Sequence, residues 1–209
     1  MRSRAIYVET SIRADLDDVW EATQNPAQHV RWDIRFSKIS PTGVTEGGAS
    51  TFTYERRAPF HTVRGRGVSL GEKIGSDGAR TSALRFHTDD RLSPIASGRG
   101  YWRYVERGDH VTGFSTGYDY QPGWGALDVV VRPLLGWATA WSFDRLRIWL
   151  ETGTPPERWP LWSVLWWWRP DRPRAARCLR APRGRSRRAD HLAEAPASLA
   201  ALPDPREAR

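Results

Sequence analysis

Proton transfer needs a histidine, carboxylate or phenol within hydrogen-bond reach of a substrate, and the chain carries five His and six Tyr. His110 falls in a turn and His191 in an Arg-rich tail, so both are expected to be solvated. His29 lies on a short helical stretch and reads as structural. His61 and His87 fall on strand-like stretches, but His87 alternates with Phe86 and so points away from any face that Phe86 lines. His61, Tyr104 and Tyr118 remain as candidate acid–base groups, with Glu55, Arg85 and Arg103 as possible polar anchors or ordinary outer-face residues. A single Cys, Cys178, excludes an internal disulfide framework and a cysteine metal cluster. No His, Cys and carboxylate set has metal-ligand spacing. Gly65-Arg-Gly67 and Gly98-Arg-Gly100 lack the strand-to-helix setting of a nucleotide loop. Neither a metal nor a cofactor is therefore expected.

The elements that would position these groups follow from periodicity. Ile6, Val8, Thr10 and Ile12 alternate with Tyr7, Glu9 and Ser11, giving a first strand with one buried face. Asp15 fits an N-cap, with Asp17 and Asp18 in the first turn of a short helix that Asn25-Pro26 stops. Pro26 opens a second short helix through Trp32. Strand patterns follow at 36–40, 50–57, 61–71, 80–88, 98–106 and 111–120, separated by turn sequences such as Pro41-Thr-Gly43, Gly75-Ser-Asp-Gly78 and Arg107-Gly-Asp109. Short connections imply antiparallel neighbours. Glycines inside the strands, at Gly65, Gly67, Gly98, Gly100, Gly113 and Gly117, mark bending or close approach. A long helix then spans Ala126 to Thr152. Leu127, Val131, Leu134, Ala138, Trp141 and Ile148 would form its buried face, while Arg145, Arg147 and Glu151 would meet solvent or the sheet edge. Pro133 should kink it. Segregated strands and helices argue an α+β class. Strand alternation places Phe52 with Tyr54, Leu84 with Phe86, Trp102 with Tyr104, and Phe114 with Tyr118 and Tyr120 on shared faces. Together with Trp137 and Trp141 they would line an aromatic pocket, the alternative being that they simply fill a core.

Charge and composition divide the chain. Its 209 residues carry a formal charge of +8, but residues 1–168 contribute +2 and residues 169–209 contribute +6. Thirty of the 32 basic residues are Arg, a skew that also follows from GC-rich coding and is no functional signal by itself. The expected organisation is a domain over 1–154, a Trp-rich segment over 155–168, and an Arg-, Pro- and Ala-rich tail over 169–209 that is expected to be disordered. With no apolar run near 18 residues and no apolar signal core at the amino terminus, the expected location is cytoplasmic. Residues 157–188 join Trp and Leu to Arg, a composition suited to the surface of an anionic membrane. The plainer reading, favoured on composition, has the Trp residues docked on the domain and the Arg run solvated. Nucleic acid is disfavoured as a partner, because the domain is nearly neutral and has no recognition motif.

The stretches Asp15-Leu-Asp-Asp-Val-Trp20, Pro26-Ala-Gln-His-Val-Arg-Trp-Asp33, Gly98-Arg-Gly-Tyr-Trp-Arg-Tyr104 and Gly136-Trp-Ala-Thr-Ala-Trp-Ser-Phe-Asp-Arg145 resemble the SRPBCC superfamily. This superfamily comprises the START/Bet v 1-like helix-grip proteins, including a bacterial polyketide cyclase/dehydrase-like group. The resemblance covers roughly residues 4–152. It implies a curved antiparallel sheet of about seven strands wrapped around the last helix, with two short helices after strand 1. It also implies a cavity between sheet and helix for an apolar or amphipathic small molecule. It implies no single reaction and offers no shared catalytic motif. Ligand binding is the reading it favours, with a cyclase/dehydratase-type enzyme or a membrane-surface module as alternatives.

Overall fold

In a computed structural model, described over residues 5–72, 78–182, 192 and 195–208, seven strands form one antiparallel sheet in the order β1-β7-β6-β5-β4-β3-β2. The strands are β1 (Ile6–Ile12), β2 (Lys38–Val44), β3 (Ser50–Arg57), β4 (Thr62–Glu72), β5 (Arg80–His87), β6 (Ile95–Glu106) and β7 (Thr112–Pro122). Two short helices, α1 (Leu16–Gln24) and α2 (Pro26–Trp32), follow β1. The long α3 (Asp128–Thr152) closes the grip. This is the helix-grip arrangement. Consecutive strands β2 to β7 pair with their neighbours, as short turns require, and β1 completes the sheet beside β7.

Local chemistry explains the joins. Asp15 sits at the N-cap of α1 but makes no side-chain cap bond; its carboxylate pairs instead with His110 Nδ1 at 2.6 Å. Asn25 caps α2 by accepting from the Ala27 backbone N–H at 2.9 Å, with Pro26 in the first turn. Gly153 ends α3 in the left-handed region at φ 70°, its N–H donating to the Trp149 carbonyl. Pro41 was expected in a turn but lies inside β2. That position is tolerated because β2 is an edge strand and its register shifts between Pro41 and Gly43. The glycines make room for rings. Phe52 opposes Gly67, Tyr54 opposes Gly65 and Phe86 opposes Gly98 across the ladder, and each ring lies where a glycine Cβ would be. The aromatics of the concave face are thus laid flat against the sheet instead of projecting across it.

Helix α3 departs from its expected buried stripe. Trp141 and Ile148 are buried, but Leu127 and Leu134 are more than half exposed. The burial begins one turn later, at Gly136, Thr139 and Ala140, and then runs almost without break to Leu146. The helix continues through Pro133. Arg145, expected to meet solvent or the sheet edge, is buried, as is its neighbour Asp144, because the chain after the helix folds back over them. Asp144 accepts from Arg147 Nε (2.7 Å), Arg177 Nη1 (3.0 Å) and the Arg174 backbone N–H (2.7 Å). Arg145 Nε donates to the Pro156 carbonyl at 2.8 Å.

The tail also departs from expectation where it is described. Trp159, Ala175 and Cys178 are buried in the main core, and Leu179 exchanges two backbone hydrogen bonds with Glu9, each 2.9 Å, on the free edge of β1. That pairing covers an otherwise open sheet edge, and it accompanies burial of Tyr7 and Glu9 on the side of β1 expected to face out. Farther on, Leu199 and Leu202, within and just after α4 (Ser198–Ala201), pack with Val68 and Ala83 in a second cluster. Arg85 Nη1 donates to the Leu202 carbonyl at 2.6 Å. A segment too polar to form its own core becomes ordered by borrowing apolar surface from the sheet. Residues 183–191, which include His191 and the end of the proposed Trp/Arg module, lie outside the described residues.

Candidate functional site

The concave side of the sheet holds two adjoining cavities. The first, about 300 Å³, lies between β3–β7 and α3 and is lined by Phe36, Tyr54, Leu84, Phe86, Trp102, Tyr118, Leu135 and Ala138 among others. The second, about 580 Å³, lies toward α1, α2 and the β2–β4 edge, against Trp20, Gln24, His29, Ile39, Phe52 and Ser82. Phe36, Leu84 and Trp102 belong to both and form the partition between them. Cavities in this size range suit small organic ligands.

Among the residues expected to line a pocket, Phe52, Tyr54, Leu84, Phe86, Trp102 and Tyr118 do so. Five do not. Tyr120 lines neither cavity. Tyr104 and Phe114 stack at 5.0 Å and fill the fully buried core behind the cavities. Trp137 and Trp141 stack on one another at 6.4 Å on a different flank of α3. The cavity side of the helix is instead the Leu135–Ala138 side, where Thr139 binds Tyr118 and Ser142 Oγ accepts from the Ile34 N–H at 3.2 Å. A helical period of 3.6 puts residues 135, 138, 139 and 142 on one face and rotates 137 and 141 away from it.

The candidate acid–base groups do not converge. His61 Nε2 lies 2.6 Å from Asp90 Oδ2, linking the β3–β4 and β5–β6 connections, and lines neither cavity. Tyr104 is locked by Thr23 Oγ1 at 2.7 Å and by Gln24 Nε2, which donates at 2.8 Å. Burial raises its pKa. Only Tyr118 reaches a cavity; burial raises its pKa too, with Arg35 and Thr139 pulling the other way. Of the remaining histidines, His87 pairs with Asp89 at 2.9 Å beside the outer face, and His29 is buried against Trp32, Phe36 and Trp102. Glu55 pairs with Arg57 and Arg64 near the surface, and Arg85 holds the Leu202 carbonyl. Among the described residues no group of His, Cys, Asp and Glu is arranged to hold a metal ion. Cys178, buried beside Asp144, has its thiol pushed up to about 12, chiefly by burial, and is no nucleophile at neutral pH.

The polar centre of the site is one that strand alternation did not find. Arg35 lines the first cavity. Its Nε and Nη2 donate to Asp33 at 2.6–3.2 Å, and its guanidinium carbon stands 5.6 Å from the Tyr118 ring. Tyr118 in turn shares a 2.9 Å hydrogen bond with Thr139, and His29 Nε2 lies 3.1 Å from Asp33. Burial works to raise the Asp33 pKa, but Arg35 and His29 outweigh it and hold the carboxyl far below the usual range. Burial dominates at His29 and lowers its pKa, so it is neutral at pH 7. The chain His29–Asp33–Arg35–Tyr118–Thr139 thus ties α2 to β7 and α3 and sets the ion-paired Arg35, with the more exposed Arg56, at an otherwise mostly apolar wall. Its sequence signal was slight: an Asp and an Arg two residues apart in the short link after a helix, where no periodicity applies.

No family model matches the chain. The Bacillus subtilis (strain 168) protein described as uncharacterized membrane protein YndG is 43% identical over 164 residues, covering 76% of this chain and 61% of that protein. The match therefore spans less than two thirds of that relative's length. Among solved structures, a START superfamily protein from Mycobacterium smegmatis aligns over 73% of this chain and 100% of its own at a TM-score of 0.53 and 10% identity. The di-domain ARO/CYC StfQ from the steffimycin biosynthetic pathway aligns over 70% of this chain and 44% of its own at a TM-score of 0.51 and 13% identity. At these identities the likeness is one of fold. With seven antiparallel strands gripping α3 and two short helices after β1, the chain has an SRPBCC-type helix-grip fold.

Proposed function

We propose that the chain binds an amphipathic small molecule in the paired cavities. Its apolar body would lie along Leu84, Phe86 and Trp102, and an oxygen-bearing polar end would meet Arg35. The observation that carries this reading is the placement of a part-buried Arg35, ion-paired with Asp33, at the wall of a cavity lined mostly by apolar side chains. A dry cavity wall strengthens a charge–dipole contact, so a ligand that is apolar throughout would leave that contact unused. The names of the START and ARO/CYC neighbours agree with a small-molecule role. Mass spectrometry of an organic extract from purified protein should recover a co-purifying compound, and the Leu84→Trp variant, whose indole fills the partition, should lose it. Equal recovery from both proteins would sink the proposal.

A cyclase/dehydratase-type reaction is the second reading, and Tyr118 is what favours it. Tyr118 lines the cavity beside Arg35, and a hydroxyl with a raised pKa is suited to donate a hydrogen bond to a carbonyl oxygen, not to remove a proton. Tyr118→Phe would then abolish turnover of a bound polyketone while leaving its binding within a few-fold. Unchanged turnover would remove this reading.

A further inference from the structure

The chain after α3 docks on the core through Trp159, Val164 and Trp166 and leaves a second set of large apolar side chains outward. Trp159 and Ser163 are buried and anchor the segment, while Leu161, Trp162, Leu165, Trp167 and Trp168 are exposed, Leu165 at 72% and Trp167 at 78%. These five fall within eight consecutive residues, a density of large exposed apolar groups that a protein surface seldom leaves without a partner. The surroundings are cationic. Residues 157–182 hold six Arg against Glu157 and Asp171, and both carboxylates are engaged, by Arg31 and Arg169. The guanidinium carbons of Arg158 and Arg169 lie 5.8 and 5.7 Å from the Trp159 ring, which fixes both beside the exposed cluster.

Indole rings partition to the headgroup level of a bilayer, and guanidinium groups are drawn to lipid phosphates. A cluster of Trp and Leu edged by Arg matches both layers of an anionic lipid surface. We propose that residues 158–172 dock the protein peripherally on an anionic bilayer, with Leu165 and Trp167 entering just below the headgroups and Arg158 and Arg169 meeting phosphates. Among the described residues no helix is long and apolar enough to cross a membrane, so the contact is with one leaflet. The proposal stands independently of the cavity reading.

Removing everything after Thr154 is a poor test, because it would uncover the core around Trp159 and Cys178. Point variants at exposed positions avoid that. Full-length protein is mixed with vesicles of phosphatidylcholine alone or with phosphatidylglycerol, then sedimented. The expected result is binding only to the phosphatidylglycerol vesicles, falling as salt screens the charges. The partition coefficient should drop about tenfold or more in a Trp162→Ser, Leu165→Ser, Trp167→Ser variant whose thermal unfolding is unchanged. Arg158→Ser with Arg169→Ser should weaken binding to a lesser degree. Three results overturn the proposal. The first is wild type failing to sediment with anionic vesicles; the second is the triple variant binding as wild type does, which would move the contact to other arginines; the third is wild type self-associating through the patch, with the triple variant monomeric and neither binding vesicles.

Discussion

Asp33 is fully buried and still ionised because Arg35 and His29 both face it. Removing one member of such a group costs more than removing the pair, since a lone buried charge loses its compensation. Arg35→Met should therefore destabilise the fold by about 3–5 kcal/mol, and adding Asp33→Asn should restore a large part of it. Urea denaturation of the two variants checks this; equal losses would show that the pair is not the stabilising unit. His29 gives a pH dependence with a definite sign. Its folded pKa is lowered, so below the unfolded value of about 6.5 the unfolded chain takes up a proton that the folded chain refuses, and stability falls as pH drops. Asp33, depressed from its usual value near 4, adds loss in the same direction at lower pH. Between pH 7.5 and 5.5 the slope should approach at most about 1.4 kcal/mol per pH unit, and His29→Gln should flatten it. A wild-type stability that is flat across that range would contradict the neutral, buried assignment. The aromatic lining was legible from strand alternation at six positions. Arg35 was not, because its role is set by where the five-residue link between α2 and β2 brings it, and that depends on contacts with Tyr118 and Asp33 that no spacing rule encodes.

Helix α3 shows how far an element can be read from its own pattern. Its extent was legible from the apolar run. Its facing was not, because two partners compete for it: the sheet takes the Leu135–Ala138 side, and the chain after the helix takes Asp144, Arg145 and Arg147. A charged residue on a helix reads as solvent-facing unless something folds over it, and here the cover is a segment whose own composition reads as disordered. Cys178 reports on that cover. Buried, with its Sγ 3.2 Å from the Ala140 carbonyl, it should react with a thiol reagent such as dithionitrobenzoate only after denaturation. Asp144→Ala, which frees the Arg174 and Arg177 contacts, should make Cys178 reactive in the folded protein. Fast labelling of the wild type would contradict the docking of residues 170–179 on α3 and β1.

At the scale of the whole molecule, strand number and antiparallel pairing could be read from turn spacing and the order of elements, whereas the grip around the last helix was implied by the resemblance of four short stretches to helix-grip proteins. What that order could not give was the second layer. The chain after residue 155 closes the β1 edge, the segment around Leu199 and Leu202 covers part of the convex face, and the Trp cluster stays outside. The central claim is that the space inside the grip receives an amphipathic ligand, and the most direct measurement is a titration with anilinonaphthalene sulfonate, an aromatic anion that fits both the apolar wall and Arg35. The wild type should show one saturable site. The Leu84→Trp variant should lose that site while keeping the wild-type melting temperature or exceeding it, since the added ring fills space that is empty. Identical saturable binding by both proteins would place the dye on the exposed tryptophans and contradict the claim.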